Sequence, residues 1–310
     1  MKSTFDIPAE ITNRIIAAIE RGAGDFIMPW HRAPSAKRPI NATTQKAYRG
    51  VNILSLWITG QAVGYRSNEW ATFKQWKDRG AFVRKGEKGT PIVFYKQLAI
   101  TIPDGVAKIG GLQGAEEEDV KTIPFARASW VFNAEQVEGY LPEGDELPER
   151  PLFERIANVD AVIGATKAVI EYGGTRACYN RVTDQISIPD ECAFIGTPTS
   201  TAQEAFYSTV LHEVSHWAGA EHRLNREKGK RFADRAYAFE ELIAELSAAF
   251  LCCELSITNE PRPDHAQYIA HYLEMLQNDK RALFQAATAA SAAVDYILAF
   301  SRPQQREEAA

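Results

Sequence analysis

Two histidines with a glutamate between them, His212-Glu213-Val214-Ser215-His216, have a spacing that can do metal-assisted hydrolysis. Residues four apart stand one above the other on a helix, because about 3.6 residues make a turn. Two imidazoles so placed can reach one zinc ion at about 2.0–2.1 Å. Glu213, beside the first histidine, is positioned to act as general base toward an activated water. The chain around the motif reads as a helix over about 201–219: Phe206, Val210, Leu211, Val214, Trp217 and Ala218 recur at helical spacing and form one apolar face. At about 100° per residue the two histidines fall on the opposite side, where a cleft is expected.

A catalytic zinc takes three protein ligands and keeps one position open. Two residues compete for the third place. Gly219 and His222 extend the motif to the metzincin spacing, but that arrangement also needs a methionine turn beneath the metal. The only later methionine, Met275, lies in a helical run, Tyr268 to Leu276. The other source is a predicted helix from about Tyr237 to Leu255. Phe239, Leu242, Ile243, Leu246, Phe250 and Cys253 make its core stripe, yet Glu240, Glu241 and Glu245 ride on it. Carboxylates on an apolar helix are costly unless paired or bound to metal. Glu241 and Glu245 resemble the gluzincin arrangement, in which the first carboxylate binds zinc and the second orients a ligand histidine. Glu241 is the expected third ligand, with His222 as the alternative.

The elements that must carry this site sit in a chain of 310 residues, 45% hydrophobic and 24% charged, which suits a soluble protein of two domains. No run of 18 apolar residues and no basic-then-apolar leader is present, so neither a membrane span nor a secretory signal is expected. The four cysteines (Cys178, Cys192, Cys252, Cys253) lack C-x-x-C spacing, and two are neighbours on one predicted helix. Reduced thiols in a cytoplasmic protein are the expectation.

Charge divides the chain. Residues 28–98 hold 13 Lys and Arg against 3 Asp and Glu, whereas the last 180 residues hold 16 against 28. One part that meets polyanions and one that does not is the reading. Asp6 and Pro8 open a first helix over about 6–21, and Tyr48 to Asn52 open an apolar second helix reaching about Thr59. A short basic helix spans Phe73 to Arg79. Ala81–Arg84, the turn Lys85–Gly89 and Thr90–Ile100 predict a hairpin with a basic tip, and Thr122–Asn133 a further strand. Residues 103–121 read as a solvated acidic loop, and 141–151, with three prolines and dense charge, as a linker. Beyond it a helix is expected over about 153–172. Short strands follow at 177–179 and 185–189, with Gln185–Ile188 a place for substrate to pair. The end, 264–300, is helical by pattern, with a polar tail at 301–310.

Single strands of nucleic acid are held by rings on which bases stack and by cations that follow the phosphates. Tyr48, Trp70, Phe73 and Trp76 lie among Arg49, Lys74, Lys77, Arg84, Lys85 and Lys88, so both materials are present. No helix-turn-helix or zinc-finger spacing is visible for duplex readout.

These stretches together resemble the ArdC-type antirestriction proteins of plasmids and related mobile elements. The resemblance rests on Pro29-Trp30, Pro39-Ile40-Asn41, Tyr48-Arg49-Gly50-Val51-Asn52, Trp70 to Gln75 and Gly80 to Gly89. It continues through His212–Trp217, Arg223-Leu224-Asn225-Arg226 and Tyr237 to Leu242, and so covers nearly the whole chain in order. It implies an α+β protein: an α+β domain binding single-stranded DNA (1–140), a linker (141–151) and a mostly helical zincin-like metallopeptidase domain (152–310). It also implies zinc, replaceable by manganese or another divalent ion, an unidentified protein substrate, and protection of incoming DNA from restriction endonucleases. His222 is not required by that family's motif, which weighs against a metzincin site. The alternative is a non-enzymatic protein that coats single-stranded DNA, its metal site structural or vestigial.

Overall fold

The structure, a computed structural model, describes residues 6–22, 38–101, 120–141, 152–196, 200–226, 235–257 and 266–301. Pro29-Trp30, most of the acidic stretch 103–121, most of the linker 141–151 and the tail after Ser301 lie outside them. The mixed α+β architecture implied by the resemblance is what is found.

The first half contains α1 (Ile7–Gly22), β1 (Ile40–Asn41), α2 (Val51–Val63), β2 (Glu69–Thr72) and α3 (Phe73–Asp78). After them come β3 (Phe82–Val83), β4 (Thr90–Thr101), β5 (Val120–Asn133) and β6 (Val137–Glu138). A four-stranded sheet has the order β1-β2-β5-β4, with β4 and β5 paired antiparallel from Thr90↔Val131 to Thr101↔Val120. The predicted hairpin of β3 with β4 does not form. β3 pairs instead with β6, Phe82 opposite Glu138, because the turn between β3 and β4 sends the chain to a different sheet. α3 starts abruptly after β2 because Thr72 closes a capping box: its Oγ1 accepts from Gln75 N at 3.2 Å and its N donates to Gln75 Oε1 at 2.9 Å.

The second half holds α4 (Leu152–Thr166), β7 (Val169–Gly174), β8 (Cys178–Asn180), β9 (Gln185–Pro189), α5 (Ala202–Ala218), α6 (Arg235–Leu255), α7 (Ala266–Asn278) and α8 (Ala282–Ala299). The helix expected to run to 172 stops at Thr166, and Val169–Gly174 is a strand parallel to β9. Lys167, at φ 58°, turns the chain there. β9 is the central strand of the order β7-β9-β8, so both its edges are already paired and it cannot receive a substrate strand as expected. The helical end divides into α7 and α8. Helix α8 is apolar and long enough to cross a membrane, but 61% of it is buried in the protein, which makes it a core helix.

The largest core runs through both halves. Ile11, Ile15 and Ile19 of α1 and Ile53, Leu54 and Trp57 of α2 belong to the same cluster as Leu246 and Phe250 of α6 and Leu283 and Ala287 of α8. Trp57 meets Phe250 edge-on at 5.7 Å. Arg49 pairs with Asp295 of α8 (Nη1 to Oδ1 3.1 Å), and Gly50 N donates to Ser291 Oγ at 3.0 Å. Trp57→Ala is therefore expected to lower stability by about 3–5 kcal/mol. Far-UV circular dichroism and the metal-helix signals should then melt together at lower temperature. Two separate transitions, with only the first shifted, would contradict a shared core.

Candidate metal centre

Helix α5 is positioned by its own N-terminus: Thr201 caps it, accepting from Glu204 N at 3.1 Å while Glu204 Oε2 accepts from Thr201 N at 3.0 Å. From there the 3.6-residue repeat sets His212 and His216 on one side, facing α6. The face expected to be wet is covered instead. His212 is 3% exposed and Glu213 4%, because α6 lies over the side that the sequence pattern left open to solvent.

Helix α6 brings three buried carboxylates, Glu240, Glu241 and Glu245. Glu241 Oε2 lies 3.5 Å from His212 Nε2, and Glu241 Oε1 lies 3.4 Å from His216 Nε2. The two Nε2 atoms are 3.1 Å apart. Each imidazole has a second carboxylate at its back: Glu240 Oε1 is 3.2 Å from His216 Nδ1 and Glu245 Oε2 is 3.6 Å from His212 Nδ1. Carboxylates at both Nδ1 atoms favour hydrogens there, which leaves the Nε2 lone pairs pointing toward each other and toward Glu241. Three electron-rich atoms converging in this way repel unless a cation or a proton lies among them. Ligands bonded at about 2.0–2.1 Å around a tetrahedral ion are about 3.3–3.4 Å apart, so the triangle has the size a metal requires. Among the described residues, His212, His216 and Glu241 are the group whose ligand atoms could hold an ion.

Glu240 is held in turn by Arg226, from the segment after α5. Arg226 Nε donates to Glu240 Oε2 at 3.0 Å, and Nη2 donates to Glu240 Oε1 at 2.7 Å and to Ser215 O at 2.6 Å. Gly219 makes room for this. A Cβ there would stand 2.6 Å from Arg226 Nη2, so any other residue would displace the guanidinium. Burial raises the Glu240 carboxyl pKa, but the bonds from His216 and Arg226 outweigh it and bring it down to about 2. Burial likewise lowers His216, yet Glu241, Glu240 and Glu213 more than reverse this and push it up to about 9. Neither Arg226 nor the role of Glu240 is evident from motif spacing. The one signal in the sequence is an excess of acids on α6 over the histidines on α5, which calls for one further cation.

His222 stands apart. It is 64% exposed in its side chain, 3.5 Å from Asp184 and 2.6 Å from Arg223 Nη1. Arg223 fixes that turn by donating to Asp184 and Tyr179 and by lying 4.0 Å over the Trp217 ring. The structure does not bring His222 to the histidine pair.

The residues expected to meet DNA separate into two groups. Phe73, Lys74, Lys77, Arg84, Lys85 and Lys88 lie on α3 and on the turn before β4, where all six are exposed. Tyr48, Trp70 and Trp76 are 6%, 2% and 0% exposed and cannot offer ring faces to bases. They are core residues: Trp70 packs with Leu56 and Ile92, and Trp76 donates to Phe132 O at 3.0 Å. Arg49 and Arg84 are engaged within the protein, by Asp295 and by Glu87 with Glu135 O.

A basic α+β half joined to a helix pair that presents two histidines and a glutamate defines a two-part protein, and both parts have known counterparts. Residues 5–132 match the N-terminal domain of anti-restriction factor ArdC, and residues 157–289 match a zincin-like metallopeptidase domain. The chain belongs to the ArdC antirestriction family. It resembles the metal-free crystal structure of the antirestriction ArdC protein from the R388 plasmid, with TM-score 0.75 and 35% identity, covering 96% of this chain and 98% of that one. Its likeness to the Mn(II)-bound structure has TM-score 0.74 and 33% identity, covering 97% and 100%. The protein y4eC of Sinorhizobium fredii is 42% identical over 98% of this chain and 95% of its own length. A DNA primase TraC of Escherichia coli is 34% identical over 96% of this chain, which spans 28% of that longer protein.

Two measurements follow from this geometry. Glu240→Gln and Arg226→Ala should each weaken divalent-metal binding by about 10- to 100-fold, read by competition with a chromogenic chelator. Unchanged affinity in both would remove any role for the pair at the centre. Because the His216 proton must leave before an ion binds, metal affinity should rise with pH, up to about tenfold per unit, and level off above about 9. An affinity that is flat between pH 6 and 9 would contradict this.

Proposed function

We propose that the chain protects DNA entering a cell by two linked activities, hydrolysis of a peptide bond at the α5–α6 centre and binding of single-stranded DNA on the basic face. The observation that carries the first is the convergence of His212 Nε2, His216 Nε2 and a Glu241 oxygen within 3.1–3.5 Å. The residues fit zinc, and the Mn(II)-bound relative supports manganese as a substitute. A divalent ion bound there supplies Lewis acidity, polarising a carbonyl and acidifying water. Glu213 takes the proton from the attacking water and returns it to the departing amine. Glu240 and Glu245 keep the two imidazoles turned inward, Nδ1 outward, so that both Nε2 atoms stay available. Substrate that binds as a strand must use an edge, β7 or β8, since β9 is enclosed.

A second reading has its own support. The cluster and Glu213 are buried, and a closed site suits a structural ion better than a catalytic one. In that reading the protein coats DNA without turnover. Glu213→Gln separates the two. It should retain metal and DNA binding while hydrolysis of a protein substrate falls by about 10²–10⁴-fold. The readout is DNA transfer into a restricting host. Protection falling with Glu213→Gln supports the enzyme. Full protection by Glu213→Gln, with loss on joint replacement of Lys74, Lys77, Lys85 and Lys88 by Gln, establishes the coating protein instead.

A further inference from the structure

Three aromatic rings gather on the outer side of the N-terminal sheet, and only one of them is a residue that spacing singled out. Phe73, the first residue of α3, is 55% exposed and meets half-buried Phe132 of β5 edge-on, with ring centroids 6.4 Å apart. Trp130, two residues back along β5 and so on the same face, is 46% exposed. Gly89 runs between Trp130 and Phe132. A Cβ built on it would lie 2.9 Å from Trp130 Cβ and 3.2 Å from Phe132 Cζ, so glycine lets the backbone lie flat beneath both side chains.

The setting is cationic. Lys88 precedes Gly89, Lys74 follows Phe73, and Lys77 and Lys85 are exposed on α3 and on the turn. A cluster of large rings open to water calls for an occupant. Its chemistry is set by the neighbours: it must present flat π faces and regular negative charge together. A duplex hides its base faces in its own stack, whereas an unpaired strand offers them freely.

We propose that Phe73, Phe132 and Trp130 form the base-stacking surface for single-stranded nucleic acid, with Lys74, Lys77, Lys85 and Lys88 following its phosphates. This rests on the DNA-binding reading above and replaces Tyr48, Trp70 and Trp76 as the stacking rings. The surface reads stacking area and charge, so it is tolerant of sequence.

The test uses the full chain and a fluorescein-labelled oligo(dT), with anisotropy followed across a salt series. Phe73→Ala and Trp130→Ala should each weaken binding by about 5- to 150-fold and leave the salt slope unchanged. Replacing the four lysines by Gln should instead flatten the slope by about 0.7 per cation. Trp130→Phe preserves a ring and guards against misfolding. It should keep most of the affinity and, in a Trp30→Phe background, lose most of the tryptophan quenching on binding, because the other tryptophans among the described residues, Trp57, Trp70, Trp76 and Trp217, are buried. If the parent binds oligo(dT) and Phe73→Ala and Trp130→Ala bind it equally well, the stacking surface is wrong and the DNA reading stands. If the parent does not bind single strands, the DNA reading fails and this assignment fails with it.

Discussion

Everything at the centre depends on three carboxylates that one helix carries into the interior. Burying an ion costs several kcal/mol unless partners compensate, and α6 buries Glu240, Glu241 and Glu245 within two turns. The compensation arrives from two directions. Helix α5 supplies His212 and His216, and the segment after it supplies Arg226. This fixes how α5 and α6 face each other, because a rotation of either would strand charges that have no access to water. It also explains Gly219, which stands where Arg226 must pass to reach both Glu240 and Ser215 O.

The same rule separates structural from functional charge elsewhere. Arg223 neutralises Asp184, whose pKa the Arg223 bond lowers to about 2, and through Tyr179 and Trp217 O it holds the turn carrying His222 to β8 and the end of α5. Arg49 ties α2 to α8 through Asp295. Lys74, Lys77, Lys85 and Lys88 are exposed on α3 and the turn before β4, beside aromatic rings. The buried cysteines fit this division: burial pushes the Cys252 and Cys253 thiols up, which makes them inert packing residues.

Much of this could be read from the residues. Spacing alone put His212 and His216 on one face, and the misplaced acids of α6 pointed to Glu241 and Glu245. α1, α2, α3, α5 and α6 were legible because their caps and apolar repeats are local. Pairings that depend on distant partners were not. The glycine-rich turn at Lys85–Gly89 favoured a β3–β4 hairpin, yet Phe82 and Val83 pair with Glu138 and Val137, far along the chain. The aromatic residues show the limit best. Trp70, Trp76 and Trp130 look alike in sequence, and only the packing of α3 and the sheet decides that the first two face inward and the third outward. The shared core was equally hidden, since nothing local to α1 or α2 says that their apolar stripes meet α6 and α8.

The two Nε2 atoms and the Glu241 carboxylate have the arrangement of ligands around a divalent cation. A crystal of the protein soaked in zinc, with anomalous data collected on both sides of the zinc absorption edge, tests it most directly. One strong peak is expected, bonded to His212 Nε2, His216 Nε2 and a Glu241 oxygen, with Arg226 still on Glu240. A peak at His222 and Asp184 with none between α5 and α6 would contradict it.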